Sequence, residues 1–199
     1  LSLVSMIPPE TTAIAGVARS GLCVATMVSM MLQLPLYNIR QTRGDIIESG
    51  NGWRLGGQSH IEPSKENVVV VDDTVMTGNS LKSISSLVEN QFTNVKYAAI
   101  YVNPQSRVKP DMWVVDLPWP HILEWNVFNS VLSPNMALDF DGILCRDCSW
   151  EQDDDGPKYL DFIKNASPLY LPRKSHIPLI VTARIEKYRS ETEGWLKKY

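Results

Sequence analysis

Four consecutive valines, Val68 to Val71, run directly into two aspartates, and this junction restricts the fold more than any other feature of the chain. A strand with no polar residue for four positions is buried on both faces, which is typical of the middle of a parallel sheet. Asp72 and Asp73 then stand where the strand leaves the core. In open parallel sheets the carboxyl ends of the strands border the ligand crevice. The junction therefore predicts a parallel sheet whose carboxyl edge carries two acidic side chains.

Short apolar runs alternate with longer helical patterns along the first half of the chain. We predict strands at 12–17, 68–71 and 96–102 and helices at 22–34 and 80–90. Such alternation indicates an α/β fold with a doubly wound parallel sheet. Prolines and aromatic residues then replace the pattern, until a new apolar strand begins at Met136 and another follows at 178–181. We accordingly expect one domain over residues 1–130 and a second over residues 131–199.

Composition excludes several kinds of partner. The 199 residues carry a formal net charge of −3, whereas nucleic acid is attracted by strongly basic surfaces, so no nucleic-acid partner is expected. No apolar run approaches the roughly 20 residues that cross a bilayer, so no membrane partner is expected either. The three cysteines form no disulfide framework and no export signal is visible. We therefore expect a cytoplasmic protein.

The residues that follow the acid pair suit a bound anion. Met76, Thr77, Gly78, Asn79 and Ser80 combine backbone N–H groups, two hydroxyls and a glycine at the start of a predicted helix. A helix N-terminus attracts phosphate, and carboxylates accept hydrogen bonds from sugar hydroxyls. The stretch thus predicts a sugar-phosphate site. The alternative is an ordinary turn in which acidic and hydroxyl residues cap the helix.

The stretch VVVVDDTVMTGNS resembles the phosphoribosyl-pyrophosphate signature of the type I phosphoribosyltransferases, and the resemblance covers about residues 10–130. It implies that Asp72 and Asp73 are catalytic residues that bind the ribose hydroxyls, and that residues 76–80 hold the 5′-phosphate. The implied substrates are phosphoribosyl pyrophosphate and a nucleobase-like acceptor, and Mg²⁺ is the implied cofactor, which neutralises the leaving pyrophosphate. The resemblance is also compatible with a homodimer.

A second loop supports the resemblance. Ala18, Arg19, Ser20 and Gly21 follow the first predicted strand and open a helix. In place and character they resemble the pyrophosphate loop of the family, with Arg19 as a phosphate partner. Taken alone, the four residues would make an ordinary turn.

A glycine-rich segment, residues 42–60, lies between the two loops. It resembles the mobile loop that closes over the active site in these enzymes and excludes water. Its composition is equally compatible with a solvated hairpin.

One residue of the phosphate loop argues against some acceptor bases. In the 6-oxopurine members of the family an acid precedes Thr-Gly, whereas this chain has Met76, which disfavours hypoxanthine and guanine. The segment from Lys109 to Trp113 resembles the one whose aromatic side chain stacks on the base, and Trp113 would be that residue. Alternatively, Trp113 packs with Trp119 and Trp125 at a domain junction.

Residues 137–144 read ALDFDGIL and form a second constellation. Asp139 and Asp141 stand two positions apart after an apolar strand, so we expect their side chains to point the same way. The stretch resembles the start of haloacid dehalogenase-like (HAD) phosphatases. That resemblance implies Asp139 as the nucleophile, Asp141 as general acid and base, and Mg²⁺ bound by both. Thr182, after the next strand, would hold the phosphoryl group.

This second resemblance covers only part of its family's pattern. The superfamily also needs a lysine and a final acidic pair on later strands, and seventeen residues follow Thr182. We therefore expect an incomplete Rossmann-like HAD domain without phosphatase activity of its own. Three functions remain open, namely a transferase joined to a phosphatase module, a regulatory module that only binds phosphoribosyl pyrophosphate, and a phosphatase on a scaffold.

Overall fold

The computed structural model describes residues 2–50, 64–123, 125, 127–172 and 176–199. The chain divides into two compact units, Leu1–His121 and Ile122–Tyr199. The division falls before the expected boundary near residue 130, which stays a prediction. In the described part of the chain, no helix combines the length and apolar character needed to cross a membrane.

The first unit is built on a six-stranded sheet. Its strands are β1 (Ala13–Val17), β2 (Leu36–Arg40), β3 (Asp45–Gly50), β4 (Val68–Val75), β5 (Lys96–Val102) and β6 (Met112–Asp116). Its helices are α1 (Ser20–Leu32) and α2 (Asn79–Glu89). The strand order is β3-β2-β1-β4-β5-β6, and every neighbouring pair except β2 with β3 is parallel. The predicted α/β fold with a mostly parallel sheet is confirmed.

The valines of β4 lie in two layers of the core. Val69 and Val71 pack in the cluster that contains α1, on one face of the sheet. Val68 and Val70 pack in the cluster that contains α2, on the other face. All four are essentially inaccessible to water, and burial of one valine side chain contributes about 1.5–3 kcal/mol. The run of valines therefore joins both helical layers to one strand.

β4 is longer than the sequence predicted. The expected strand ended at Val71, but β4 continues through the acid pair to Val75. The extension is held by β5, because Thr74 and Val75 still pair with Tyr101 and Val102. The two aspartates are thus part of a regular strand, and pairing with β5 holds their backbone in place.

The glycine-rich segment begins as a hairpin. β2 and β3 pair in antiparallel orientation at the edge of the sheet. Nε of Arg40 donates to Oδ1 of Asp45 over 2.7 Å, which closes the turn between the two strands. The hairpin alternative holds as far as Gly50, and residues 51–60 of the predicted mobile loop lie outside the described residues.

The second unit contains a parallel pair of strands, β7 (Ala137–Asp139) and β8 (Leu179–Val181), with helix α3 (Pro157–Asn165) between them in the chain. Helix α4 (Arg189–Lys198) follows β8. The core is aromatic, and Trp195 is buried with its Nε1 donating to the carbonyl oxygen of Ala166 over 2.7 Å. This β-α-β unit is an arrangement that a Rossmann-like domain contains.

The acidic run before α3 serves that helix. Oδ1 of Asp154 accepts from the backbone N–H groups of Gly156 and Tyr159 over 2.9 and 3.0 Å. Hydrogen bonds from the backbone, that of Tyr159 first, hold the pKa of Asp154 below its usual range. The carboxylate therefore satisfies amides at the start of the helix.

Candidate active site

The two predicted phosphate loops follow neighbouring strands. Residues 18–21 come after β1, and residues 76–80 come after β4, which is the parallel neighbour of β1. Both loops therefore lie at the carboxyl edge of the sheet. The chain continues from β1 outward to β2 and returns to β4 on the other side of β1. This reversal of strand order is the topological switch point, where open α/β sheets bind ligands.

The acid pair stands at this switch point and is buried. Asp72 and Asp73 are each 7% exposed, and Oδ1 of Asp72 accepts from the backbone N–H of Asp73 over 2.9 Å. Burial, together with the nearby negative charge of Asp73, raises the pKa of Asp72 to about 7. Close to neutral pH the Asp72 carboxyl is therefore near the midpoint of its titration.

Gly21 brings the first loop against this pair. A Cβ atom at position 21 would lie 2.6 Å from Oδ1 of Asp72 and 2.8 Å from the carbonyl oxygen of Val71. Atoms do not pack at such distances, so no larger residue permits this approach of α1 to β4. The peptide bond between Ala18 and Arg19, in the same loop, is cis. The structure thus brings Gly21, the last residue of the first loop, against Asp72.

The second loop, residues 76–80, leads into α2. Gly78 is the residue just before the helix, and its φ is +78°. Oγ1 of Thr77 accepts from the backbone N–H of Asn79 over 3.3 Å. Neither aspartate of β4 caps the helix, but the hydroxyl of Thr77 does accept from its first backbone N–H, so the capping alternative stays open for the hydroxyl residues. Met76, Thr77 and Asn79 are exposed at this edge.

Trp113 lies on β6, two strands away from β4. It packs in a cluster with Val75 and Val108, and its Nε1 donates to Oδ1 of Asp116 over 2.9 Å. These contacts pack Trp113 within the first unit, and its packing with Trp119 and Trp125 at a domain junction stays a prediction. Stacking of Trp113 on a base stays a prediction.

Sequence reasoning did not single out His121. The side chain is 8% exposed. Its Nε2 forms a hydrogen bond with Oγ1 of Thr74, two residues beyond Asp72 on β4. The two residues are 47 positions apart, and a lone histidine after a proline carries no signal of such a contact.

Comparison with protein families agrees with this geometry. The phosphoribosyl transferase domain family matches residues 4–136, which is well over half of the chain. The chain belongs to this family. As a phosphoribosyltransferase domain it carries the acid pair and both loops inside the matched region.

Two curated relatives match a shorter region. The orotate phosphoribosyltransferase of Aeropyrum pernix is 39% identical over 85 residues, which cover 42% of this chain and 42% of that protein. The orotate phosphoribosyltransferase of Levilactobacillus brevis is 32% identical over 87 residues, which cover 44% of this chain and 39% of that protein. This phosphoribosyltransferase chain thus spans about two fifths of the length of the relatives it matches.

Two solved structures are among those similar to this chain. The crystal structure of orotate phosphoribosyltransferase from Aeropyrum pernix is 26% identical, covers 58% of this chain and 65% of that chain, and has a TM-score of 0.43. The crystal structure of purine phosphoribosyltransferase from Pyrococcus horikoshii is 23% identical, covers 61% of this chain and 86% of that chain, and has a TM-score of 0.42.

The phosphoribosyltransferase domain offers few protein ligands for a metal. In the part of the chain that the structure describes, no group of three or more His, Cys, Asp or Glu side chains is placed to hold a metal ion. Mg²⁺ keeps several waters and takes oxygens from phosphate groups. The carboxylate oxygens of Asp72 and Asp73 are of the kind that Mg²⁺ prefers, so the donor chemistry at the switch point is compatible with this ion.

In the second unit, Asp139 and Thr182 stand at the ends of adjacent parallel strands. Asp139 pairs in register with Val181, and the backbone N–H of Phe140 donates to the carbonyl oxygen of Val181 over 3.1 Å. Asp139 is exposed at this edge. The structure thus places these two predicted residues on neighbouring strand ends.

Asp141 is bound by an arginine that sequence reasoning did not single out. Nε and Nη2 of Arg184 donate to the two carboxylate oxygens of Asp141 over 2.9 and 2.6 Å. The Arg184 side chain is only 2% exposed, and its Cζ lies 4.0 Å from the centroid of the Phe140 ring. This bidentate pair occupies both oxygens of Asp141, so a general acid-base role would require the pair to open.

Proposed function

We propose that the chain is a phosphoribosyltransferase that transfers ribose 5-phosphate from phosphoribosyl pyrophosphate to a nitrogenous base. One observation carries the proposal. A buried acid pair stands at the topological switch point between two loops, and Gly21 brings one of those loops into contact with Asp72. This is the arrangement that a sugar carrying phosphate groups at both ends requires.

Each part of the site has a role in this reaction. The carboxylates of Asp72 and Asp73 accept hydrogen bonds from the ribose hydroxyls. Residues 76–80, at the start of α2, hold the 5′-phosphate with backbone N–H groups. Residues 18–21 hold the pyrophosphate, with Arg19 as its cationic partner. Mg²⁺, when bound, neutralises charge on the leaving pyrophosphate.

The binding groups orient the anomeric carbon toward the acceptor. Holding the ribose at both its phosphate groups and its hydroxyls restricts the sugar to one pose, which lowers the entropic part of the barrier. The base nitrogen then displaces pyrophosphate. The acceptor belongs to a class other than the 6-oxopurines, because Met76 stands where those enzymes have an acid. The names of the two curated relatives make orotate the first base to test.

Pyrophosphate release tests the proposal. The full chain is incubated with Mg²⁺, phosphoribosyl pyrophosphate and, in separate reactions, orotate, adenine, hypoxanthine and guanine. We expect release with one base, loss of release in Asp72→Asn/Asp73→Asn, and normal release in the control Asp161→Asn, an exposed position on α3. Tight binding of phosphoribosyl pyrophosphate with no release for any base would favour a regulatory module, and no binding would refute both functions.

We also propose a HAD-like phosphatase module over residues 131–199, which lie within the second unit, after a phosphoribosyltransferase-like domain over residues 1–130. Asp139 and Thr182 at the ends of a parallel strand pair support it. Beryllium fluoride with Mg²⁺ mimics a phosphoryl group on an aspartate. A bound ¹⁹F resonance that disappears in Asp139→Asn, while persisting in Asp161→Asn, is the expected result. Absence of the resonance from the native chain would contradict the module.

A further inference from the structure

The segment that follows β6 lies across the ends of the neighbouring strands. This segment, residues 117–121, is called the return segment below. Its first residue, Leu117, donates its backbone N–H to the carbonyl oxygen of Val102 at the end of β5, over 2.8 Å. Its last residue, His121, contacts Thr74 on β4. The return segment therefore passes from β6 over β5 to the strand that carries the acid pair.

His121 holds the return segment through both ring nitrogens. Nδ1 lies 2.7 Å from the carbonyl oxygen of Leu117. A carbonyl only accepts, so Nδ1 carries the hydrogen, and in the neutral imidazole Nε2 accepts from the Thr74 hydroxyl. The backbone N–H of His121 also donates to the carbonyl oxygen of Pro118 over 3.0 Å. One ring thus closes the turn of the return segment and attaches it to β4.

The attachment point lies beside the acid pair. Thr74 is two residues beyond Asp72 on the same strand, and side chains two apart on a strand point to the same face. Residues 18–21 approach Asp72 from the side of β1, and residues 76–80 continue from β4 into α2. The return segment is hydrogen-bonded to the end of β5, which neighbours β4 on the side opposite β1. It carries Trp119, whose side chain is 65% exposed, in the middle of its turn.

We propose that Thr74 and His121 are positioning residues for the acceptor base of this site. Their hydrogen bond holds the return segment against the end of β4, and so shapes the side of the site that neither phosphate loop occupies. The inference rests on the proposed transferase function. It differs from the roles of Asp72 and Asp73, because it assigns Thr74 and His121 no contact with phosphoribosyl pyrophosphate.

The test measures KM separately for the acceptor base and for phosphoribosyl pyrophosphate, the donor. Thr74→Val removes the hydroxyl at nearly constant shape, and Thr74→Ser restores a hydroxyl as the matched control. We expect the KM for the acceptor to rise about 3- to 10-fold in Thr74→Val, the effect of one lost buried hydrogen bond. The KM for phosphoribosyl pyrophosphate should stay within about 2-fold of the native value, and Thr74→Ser should remain near native in both.

A second variant checks that the two residues act as a unit. His121→Phe should raise the acceptor KM as Thr74→Val does, and the double variant should add little to either single change. Hydrogen exchange should be faster over residues 117–121 in both single variants, and unchanged over α3.

The outcomes are distinguishable from failure of the transferase function. No pyrophosphate release by the native chain with any base overturns the proposed function and this inference with it. Normal release by the native chain, with an unchanged acceptor KM in Thr74→Val or equal rises for donor and acceptor, overturns the inference alone. Damage in Thr74→Ser equal to that in Thr74→Val would also overturn it, because the hydroxyl would then not be the group that acts.

Discussion

Gly21 and Asp72 are packed so closely that a single methyl group does not fit between them. A Cβ on Gly21 would lie 2.6 Å from Oδ1 of Asp72 and 2.7 Å from its Cα. The first turn of α1 therefore rests on the acid pair, and the position of the first phosphate loop depends on a residue without a side chain. This contact couples the loop after β1 to the end of β4.

Replacing Gly21 with alanine should damage both folding and ligand binding. The added methyl group must displace backbone atoms of β4, and overpacking of this kind costs about 1–3 kcal/mol of unfolding free energy. Binding of phosphoribosyl pyrophosphate, measured by calorimetry, should weaken at least 10-fold. The control is Gly194→Ala on α4, where no described heavy atom lies within 4 Å of the added Cβ. That change should stabilise its helix by up to about 1 kcal/mol, and a Gly21→Ala variant that behaves like it would refute the contact.

Alanine variants of Gly78 and Gly44 distinguish the cost of backbone strain from the cost of steric overlap. Gly78 and Gly44 have φ of +78° and +67°, so alanine is strained at both positions and costs about 1–2 kcal/mol. At Gly78 a Cβ would also lie 2.4 Å from the carbonyl oxygen of Val108, whereas at Gly44 no described heavy atom is within 4 Å. We expect Gly78→Ala to unfold at clearly lower urea concentration than Gly44→Ala and to lose binding of the 5′-phosphate. Equal midpoints for the two variants would contradict this packing of the loop.

The raised pKa of Asp72 predicts how stability depends on pH. The pKa is about 7 in the folded chain against 3.8 for the free side chain, so the folded state binds this proton more tightly. The stabilisation is complete below about pH 4 and is lost as the pH rises through 7. Asp72→Asn should therefore be more stable than the native chain at pH 8, by roughly 2 kcal/mol or more. Its advantage should shrink toward pH 4, because the Asp72 carboxyl of the native chain is then protonated in the folded state and increasingly protonated in the unfolded state.

Urea titrations of both chains at pH 4, 6 and 8 measure this difference. Asp161→Asn, at an exposed position, should show no such pH dependence relative to the native chain. A constant difference between Asp72→Asn and the native chain at all three pH values would show that Asp72 titrates normally.

Removing one partner of the buried pair of Arg184 and Asp141 should destabilise the second unit more than removing both charges. Asp141→Asn leaves the guanidinium of Arg184 buried without its counter-charge, which should destabilise the unit by about 3 kcal/mol. Arg184→Met/Asp141→Asn should recover part of this loss, because it removes both charges from the interior. Hydrogen exchange over α4 provides the measurement. The exposed pair of Arg189 and Glu186 is the control, and Glu186→Gln should have no measurable effect.

Much of the fold could be predicted from local pattern. The valine run, the alternation of strands with helices and the position of the acid pair all depend on residues near each other in the chain. Burial on both faces requires an uninterrupted apolar run, so the sequence of β4 already implied a central strand with its acids at the exit. The positions of the two predicted phosphate loops also came from local pattern, since each loop lies between a predicted strand and a predicted helix.

The contacts that complete the sites were not predictable in this way. Thr74 and His121 are 47 residues apart, and Asp141 and Arg184 are 43 residues apart. Whether such side chains meet depends on how the connecting segments run through the fold. Local patterns in the sequence do not predict that path.

The extension of β4 to Val75 and the approach of Gly21 to Asp72 likewise depend on neighbouring elements. From its local chemistry, the chain specified a parallel sheet with two acids at its carboxyl edge, beside the two predicted phosphate loops. Packing between distant segments determined which groups those acids face, because such contacts depend on how the whole chain is arranged.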